Sequence, residues 1–366
     1  MAHANPAEHI THGREDTRGM RAVHDLAHLT PAYFGLVMAT GIVSLAADLE
    51  GWPRLGRGRF YLNAIFYVVL WVLFLLRALR FPRRVYDDLV DHLHGQGFFT
   101  MVAGSSILGS QFVLLADDDR IGAALLVVTV ILWIVFTYTI FTALTIKEHK
   151  PSLDQGISGG WLLSVVASQS IAVLAALLAA RFGQPYKQTL NFFALSMWLW
   201  GGMLYIWLMS LIFYRYAFFR FFPADLAPPY WINMGAMAIS TLAGSLLIIN
   251  TPDAPYLTSM LPFLKGFTIL YWATGTWWIP MLVVLGIWRH VYKRFPLAYD
   301  PLYWGVVFPL GMYSAATREM RHAMHFNFLD FIPPTFFVIA LVAWTATIAG
   351  LVTSLTRRYR PRLVIE

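Results

Sequence analysis

Runs of apolar residues, each about 20 long and ten in number, restrict this chain more than any other feature of its sequence. They lie near 31–49, 60–80, 98–116, 121–146, 158–180, 189–214, 231–250, 263–288, 302–317 and 335–355. A helix of about 20 residues crosses a hydrocarbon core roughly 30 Å thick. Lipid offers the backbone no hydrogen-bond partner, so each run must be a helix or a strand of a closed barrel. The runs are too long for barrel strands and lack their strict alternation. Composition agrees: 58% of the 366 residues are hydrophobic and only 13% charged, where a soluble domain carries about 25% charged residues. The expected fold is an all-α integral membrane protein of ten transmembrane helices. One membrane domain, 31–356, would lie between a polar N-terminal tail, 1–30, and a basic C-terminal tail, 357–366.

Turn residues separate the runs, as at Gly51-Trp52-Pro53, Gln184-Pro185, Pro228-Pro229 and Pro333-Pro334. The polar first 30 residues, with Arg14, Arg18 and Arg21, lack the short apolar core of a removable signal peptide. The net charge of +7 comes from basic residues in short loops, where they set topology and do not form a nucleic-acid surface. With the N-terminus in the cytoplasm, roughly 18 Lys and Arg fall inside against roughly 9 outside. Both termini are therefore expected in the cytoplasm, in the cell (inner) membrane, which requires an even number of spans. No cysteine is present, which excludes disulfides, thiolate metal sites and a Cys nucleophile.

The odd spans are richer in Gly, Ala, Ser and Thr than the even ones, which carry bulky side chains. Small residues allow close helix approach and leave room for a lumen, whereas bulky ones suit lipid. The odd helices are thus expected inside an outer layer of even ones. Candidate lumen residues are Gly35 and Gly41, Gly104 and Ser105, Gly160 and Ser164, Gly235, and Gly305. Tight packing is the competing explanation for the same residues. Ionisable residues in mid-span are scarce, and the polar ones are mostly neutral: Asn63, Gln111, Gln169, Asn191 and Asn233. That scarcity argues against a proton relay but not against a pore. On the outer side Lys265 and Arg318 are candidates for drawing anions to a mouth, with snorkelling to headgroups as the alternative. Glu319, His322 and His325, spaced three apart, could bind a transition metal from one helix face but match no recognised motif, and His24-Asp25 with His28, or Asp117-Asp118-Asp119 as a calcium site, are weaker candidates still. No metal site, cofactor motif, P-loop or nucleophile elbow is expected, and an enzyme has little support.

Span nine reads Tyr303-Trp304-Gly305-Val306-Val307-Phe308-Pro309-Leu310-Gly311-Met312, continuing through Ser314-Ala315-Ala316-Thr317. This resembles a segment of the tellurite-resistance/dicarboxylate transporter family, which includes the yeast malate permease, the fungal sulfite pump and the plant slow anion channels. Span one, Pro31-Ala32-Tyr33-Phe34-Gly35 through Gly41, looks like that family's opening span. The resemblance implies five helical hairpins, with the odd helices forming an inner pore ring, and a homotrimer with one pore per subunit. It also implies that Phe308, followed by Pro309, blocks the pore. Spans one, three, five and seven lack the mid-span prolines that bend pore helices in the family. The expected function is passage of small anions (chloride, nitrate, a dicarboxylate or an oxyanion) by a channel or channel-like uniporter. The alternative is an ion- or proton-coupled carrier of C4-dicarboxylate, sulfite or tellurite-type oxyanions.

Overall fold

The computed structural model describes residues 23–359, so the parts of both expected tails at 1–22 and 360–366, including Arg14, Arg18 and Arg21, lie outside the described residues. Ten long helices organise the rest. They are α1 (Gly35–Leu49), α2 (Pro53–Arg80), α3 (Phe99–Leu115), α4 (Asp119–Ile146) and α5 (Leu163–Arg181). After them come α6 (Tyr186–Phe218), α7 (Ile232–Ile249), α8 (Leu261–Ile287), α9 (Trp304–Met324) and α10 (Ile332–Tyr359). No strand occurs among the described residues.

Nine helical stretches are long and apolar enough to cross a membrane among the described residues. The helix left out is α9. Its apolar part runs into Arg318, Glu319, Arg321 and His322 before it ends at Met324, so it misses the composition of a lipid-exposed span. It does not need that composition, because Val307 to Thr317 are buried without exception.

Burial alternates along the chain. In the apolar windows of α1, α3, α5 and α7, 78–94% of residues are buried, against 17–56% in the even helices. The buried helices touch in a closed order: α1 against α3, α3 against α5, α5 against α7, α7 against α9, and α9 against α1. Each even helix packs mainly on the odd helix just before it. The even helices are also longer, 27 to 33 residues against 15 to 21 for the odd ones. At 1.5 Å per residue that is about 40–50 Å outside and about 23–32 Å inside. Long helices around short ones leave recesses at the faces.

Two devices recur from one odd–even helix pair to the next. At the face where the odd helices begin, a basic side chain at the end of an even helix donates to a carbonyl just before its partner odd helix. Arg77 Nε reaches Ala27 O at 3.2 Å, Arg215 Nη1 reaches Ile157 O at 2.8 Å, Lys147 Nζ reaches Val90 O at 3.4 Å, and Arg289 bonds Leu226 O. Deeper in, an aromatic donor on every even helix reaches the next odd helix. Tyr67 meets Ser105 at 2.9 Å, Trp133 donates to Ser168 at 2.9 Å, and Trp198 donates to the Ser240 carbonyl at 2.8 Å. Trp272 donates to Thr317 at 3.0 Å, and Trp344 closes the set on Thr40 of α1 at 3.0 Å. An indole N–H away from water needs an acceptor, and small hydroxyls between helices, or for Trp198 a backbone carbonyl, supply it.

Candidate functional site

Each odd helix starts with a single 3₁₀ turn: Pro31–Phe34, Gly95–Phe98, Gly159–Leu162, Pro228–Trp231 and Pro301–Tyr303. Thr30, Ser158 and Asp300 cap three of these turns with side-chain oxygens. All five turns border one open cavity of about 630 Å³, through Ala32, Gly97, Gly160, Tyr230 and Leu302 among others. Helix N-termini carry partial positive charge, and five of them face this vestibule. Arg215 and Arg220 line it, opposed by Asp154 and Asp225, with Arg215 tied to Asp225 at 3.5 Å and to the Tyr230 hydroxyl at 2.5 Å. At its rim His94 sits 2.9 Å from Asp91. Burial raises the Asp91 carboxyl, but the N–H groups of His94 and Leu93 outweigh it and hold the group below its ordinary value.

Below the vestibule lies a cavity of about 30 Å³ bordered by Gly35, Met38, Thr100, Leu163, Gly305 and Phe308, among others. That is room for one or two waters, and its walls are mostly apolar. Phe308 is 1% exposed. Pro309 has no N–H, so the carbonyl of Gly305, one turn back, has no helical donor there. The Pro309 ring packs into Gly235 of α7, where a Cβ would stand 2.6 Å from it.

Beyond Phe308 a third cavity, about 130 Å³, is lined by all five odd helices. On α9 the lining residues are Met312, Ala315 and Glu319, and on α1 they are Ile42, Leu45 and Leu49. The helices α3, α5 and α7 add matching triplets: Ile107, Ser110, Leu114; Ser170, Val173, Leu177; Ile239, Leu242, Leu246. Spacings of three and four keep each triplet on one helix face. Continued backward, the same faces reach the lining of the small cavity: Gly35 and Met38 on α1, and Gly305 and Phe308 on α9. This cavity is therefore apolar, apart from Ser110, Ser170 and Glu319.

The residues expected from sequence fall in different places. Gly35 and Gly305 border the small cavity, and Gly160 borders the vestibule. Gly41, Gly104 and Gly235 stand at helix contacts, facing Ile107, Val37 and Pro309. Ser105 turns outward to Tyr67, and Ser164 bonds its own helix at Trp161 O. Arg318 forms an ion pair with Glu50 at 3.1 Å, and Lys265 lies on the exposed side of α8. Among the described residues no group of three or more His, Cys, Asp or Glu could hold a metal ion. Glu319 was legible only as a possible metal ligand. The signal for its lumen position is its spacing of seven from Met312 and eleven from Phe308, which keeps the three on one face.

The family model described as "Voltage-dependent anion channel" (SLAC1) matches residues 28–352. The chain belongs to this family. An uncharacterized membrane protein of Mycobacterium tuberculosis is 40% identical to it over 148 residues, covering 40% of this chain and 75% of that protein. Two uncharacterized transporters of Methanocaldococcus jannaschii align far more completely. One is 25% identical over 326 residues, covering 87% of this chain and 92% of its own. The other is 24% identical over 332 residues, covering 88% and 92%. A multi-pass membrane protein of an anion-channel family is thus established, and the names of the family and of the two Methanocaldococcus relatives describe a channel and transporters, not enzymes.

Proposed function

We propose that this voltage-dependent anion channel family member passes small anions down their gradient through the axis of its odd helices, with Phe308 as the closing side chain. The carrying observation is the order of spaces along that axis. A vestibule bordered by the five turns that start the odd helices leads toward a lumen lined by all five odd helices, and Phe308 stands on the lumen-lining face of α9 between them. A bulky apolar side chain in a narrow apolar passage excludes water, and with it any hydrated ion. Pro309, seated on Gly235, holds the turn that carries Phe308. In this reading ten helices cross the bilayer as five hairpins, both termini lie in the cytoplasm of the cell membrane, and the vestibule is cytoplasmic. The loop charges support that orientation. Assembly as a homotrimer rests on the family resemblance and is read by cross-linking in native membranes. Chloride and nitrate are the first anions to test, ahead of dicarboxylates and oxyanions.

Phe308→Ala should raise basal chloride and nitrate current in reconstituted bilayers at about pH 4, where carboxyl groups are largely neutral, while the yield of folded protein stays level. A Phe that only filled a core would cost about 3–5 kcal/mol on truncation and lower that yield. Wild-type current from a well-folded Phe308→Ala protein rejects the gate. A coupled carrier is the competing reading, favoured by one observation, the carboxylate of Glu319 in the lumen. Reversal potentials separate the two, since a channel follows the anion gradient alone and a proton-coupled carrier shifts with the pH gradient.

A further inference from the structure

The lumen triplets end, at the side away from the vestibule, in Leu49, Leu114, Leu177, Leu246 and Glu319. Four helices place leucine at this position and the fifth places a carboxylate. Leu114 is 44% exposed, so this end of the lumen is open to its surroundings. The cations nearest in sequence are engaged elsewhere: Arg318 pairs with Glu50 at the end of α1, and Arg321 pairs with Asp330 before α10. Across the mouth Arg181 is held by Asp117 at 2.9 Å, with Asp119 at 4.0 Å. Of the remaining groups, Asp48 ends α1, His322 lies exposed one turn along α9, and Lys265 faces outward on α8. The helix α7 supplies no titratable group. Among the described residues no cation is bonded to the Glu319 carboxylate, and the cationic groups whose fields reach it are His322 and Arg318, the latter shared with Glu50.

An ionised carboxylate with no cation bonded to it, in a narrow apolar passage, repels an anion that must pass within a few ångströms of it. Removing its charge needs only a proton from the open end. Resting on the anion route proposed above, we infer that Glu319 is a proton-binding site of that route. Anions pass when its carboxyl is neutral and are blocked when it is ionised. Acid on the face away from the vestibule therefore opens the lumen, independently of Phe308, which closes the other end.

The test uses nitrate efflux from proteoliposomes, with Phe308→Ala as the background so that the inner closure does not hide the effect. Between about pH 4 and about pH 8, efflux through Phe308→Ala should fall by about tenfold or more. Adding Glu319→Gln should leave efflux high and flat across that range. Adding Glu319→Asp, which keeps a titrating group, should restore the fall and shows that the position tolerates substitution. An unchanged pH profile in the Gln variant, or a profile flattened instead by His322→Gln, overturns the assignment while leaving the anion route standing. No efflux from any variant, with folded protein present, overturns the route itself.

Discussion

At the scale of single residues, charge at the far mouth is decided by pairs. Arg318 keeps a partly exposed guanidinium 3.1 Å from Glu50, whose side chain is only 9% exposed. Replacing Arg318 by Gln removes a cation and also leaves a nearly buried carboxylate without its partner. Arg318→Gln should therefore lower chloride conductance, most at low ionic strength, where exposed charges are least screened. Arg318→Gln with Glu50→Gln should recover most of it. An equal loss at every salt concentration, or no recovery in the double variant, points to damage to the fold. The sequence made Arg318 visible as a cation near an outer mouth, but Glu50 lies 268 residues away in the chain, and no local pattern joins them. The small residues were harder still. Ser105 and Gly160 look alike as small residues in odd spans, yet one bonds an outer tyrosine and the other borders the vestibule. Which face of a helix points inward depends on its rotation, and rotation is set by contacts from other parts of the chain.

At the scale of elements, the existence and order of the helices were legible because bilayer thickness sets the length of an apolar run. Their ends were less so. The apolar run of α2 starts near 60, but the helix starts at Pro53 and carries Arg54, Arg57 and Arg59 in its first turns. Those turns project past the apolar run, where hydropathy no longer marks a helix. The rotation of the odd helices has a physical cause in the aromatic bonds, four of which hold a small hydroxyl outward and so leave Ile, Leu, Val and Met to line the central cavity. Breaking one bond should cost stability before it costs structure. Trp344→Phe keeps an aromatic ring, though a smaller one under the Arg59 guanidinium, and leaves the buried Thr40 hydroxyl without its donor. A loss of about 0.5–2 kcal/mol is expected, the range of single interhelical hydrogen bonds in membranes. Unfolding in mixed detergent measures it. Adding Thr40→Val to Trp344→Phe should cost less than the sum of the two single changes, as for any directly bonded pair. Strict additivity would mean the bond does not hold α10 to α1.

At the scale of the whole molecule, the open question is whether α9 crosses the bilayer, since its composition alone does not qualify it. Its neighbours argue that it does. At one end Trp304 stands against Gly35, where a Cβ would lie 3.3 Å from the Trp304 Cβ. Midway Gly311 packs on Ile42 and Val43, and at the other end Arg318 pairs with Glu50. These contacts run in step, 35 with 304, 42 with 311 and 50 with 318, so α9 lies parallel to α1 and spans as much depth. The helix α1 belongs to a stretch, Pro31–Leu49, that is apolar enough to cross. Arg318 and Arg321 at the far end of α9 are tolerated because Glu50, just past α1, and Asp330, before α10, supply their counter-charges. Reporters inserted after Pro151 and after Arg294 should therefore give cytoplasmic signals, and those near Asp118 and Asp253 should give outside signals. A reporter at Asn327, just past α9, decides between nine crossings and ten. Ten crossings put it outside with Asp253, whereas an α9 that stays on one side puts it in the cytoplasm with Arg294. A cytoplasmic signal at Asn327 would remove one of the five helices that line the lumen, and the proposed route with it.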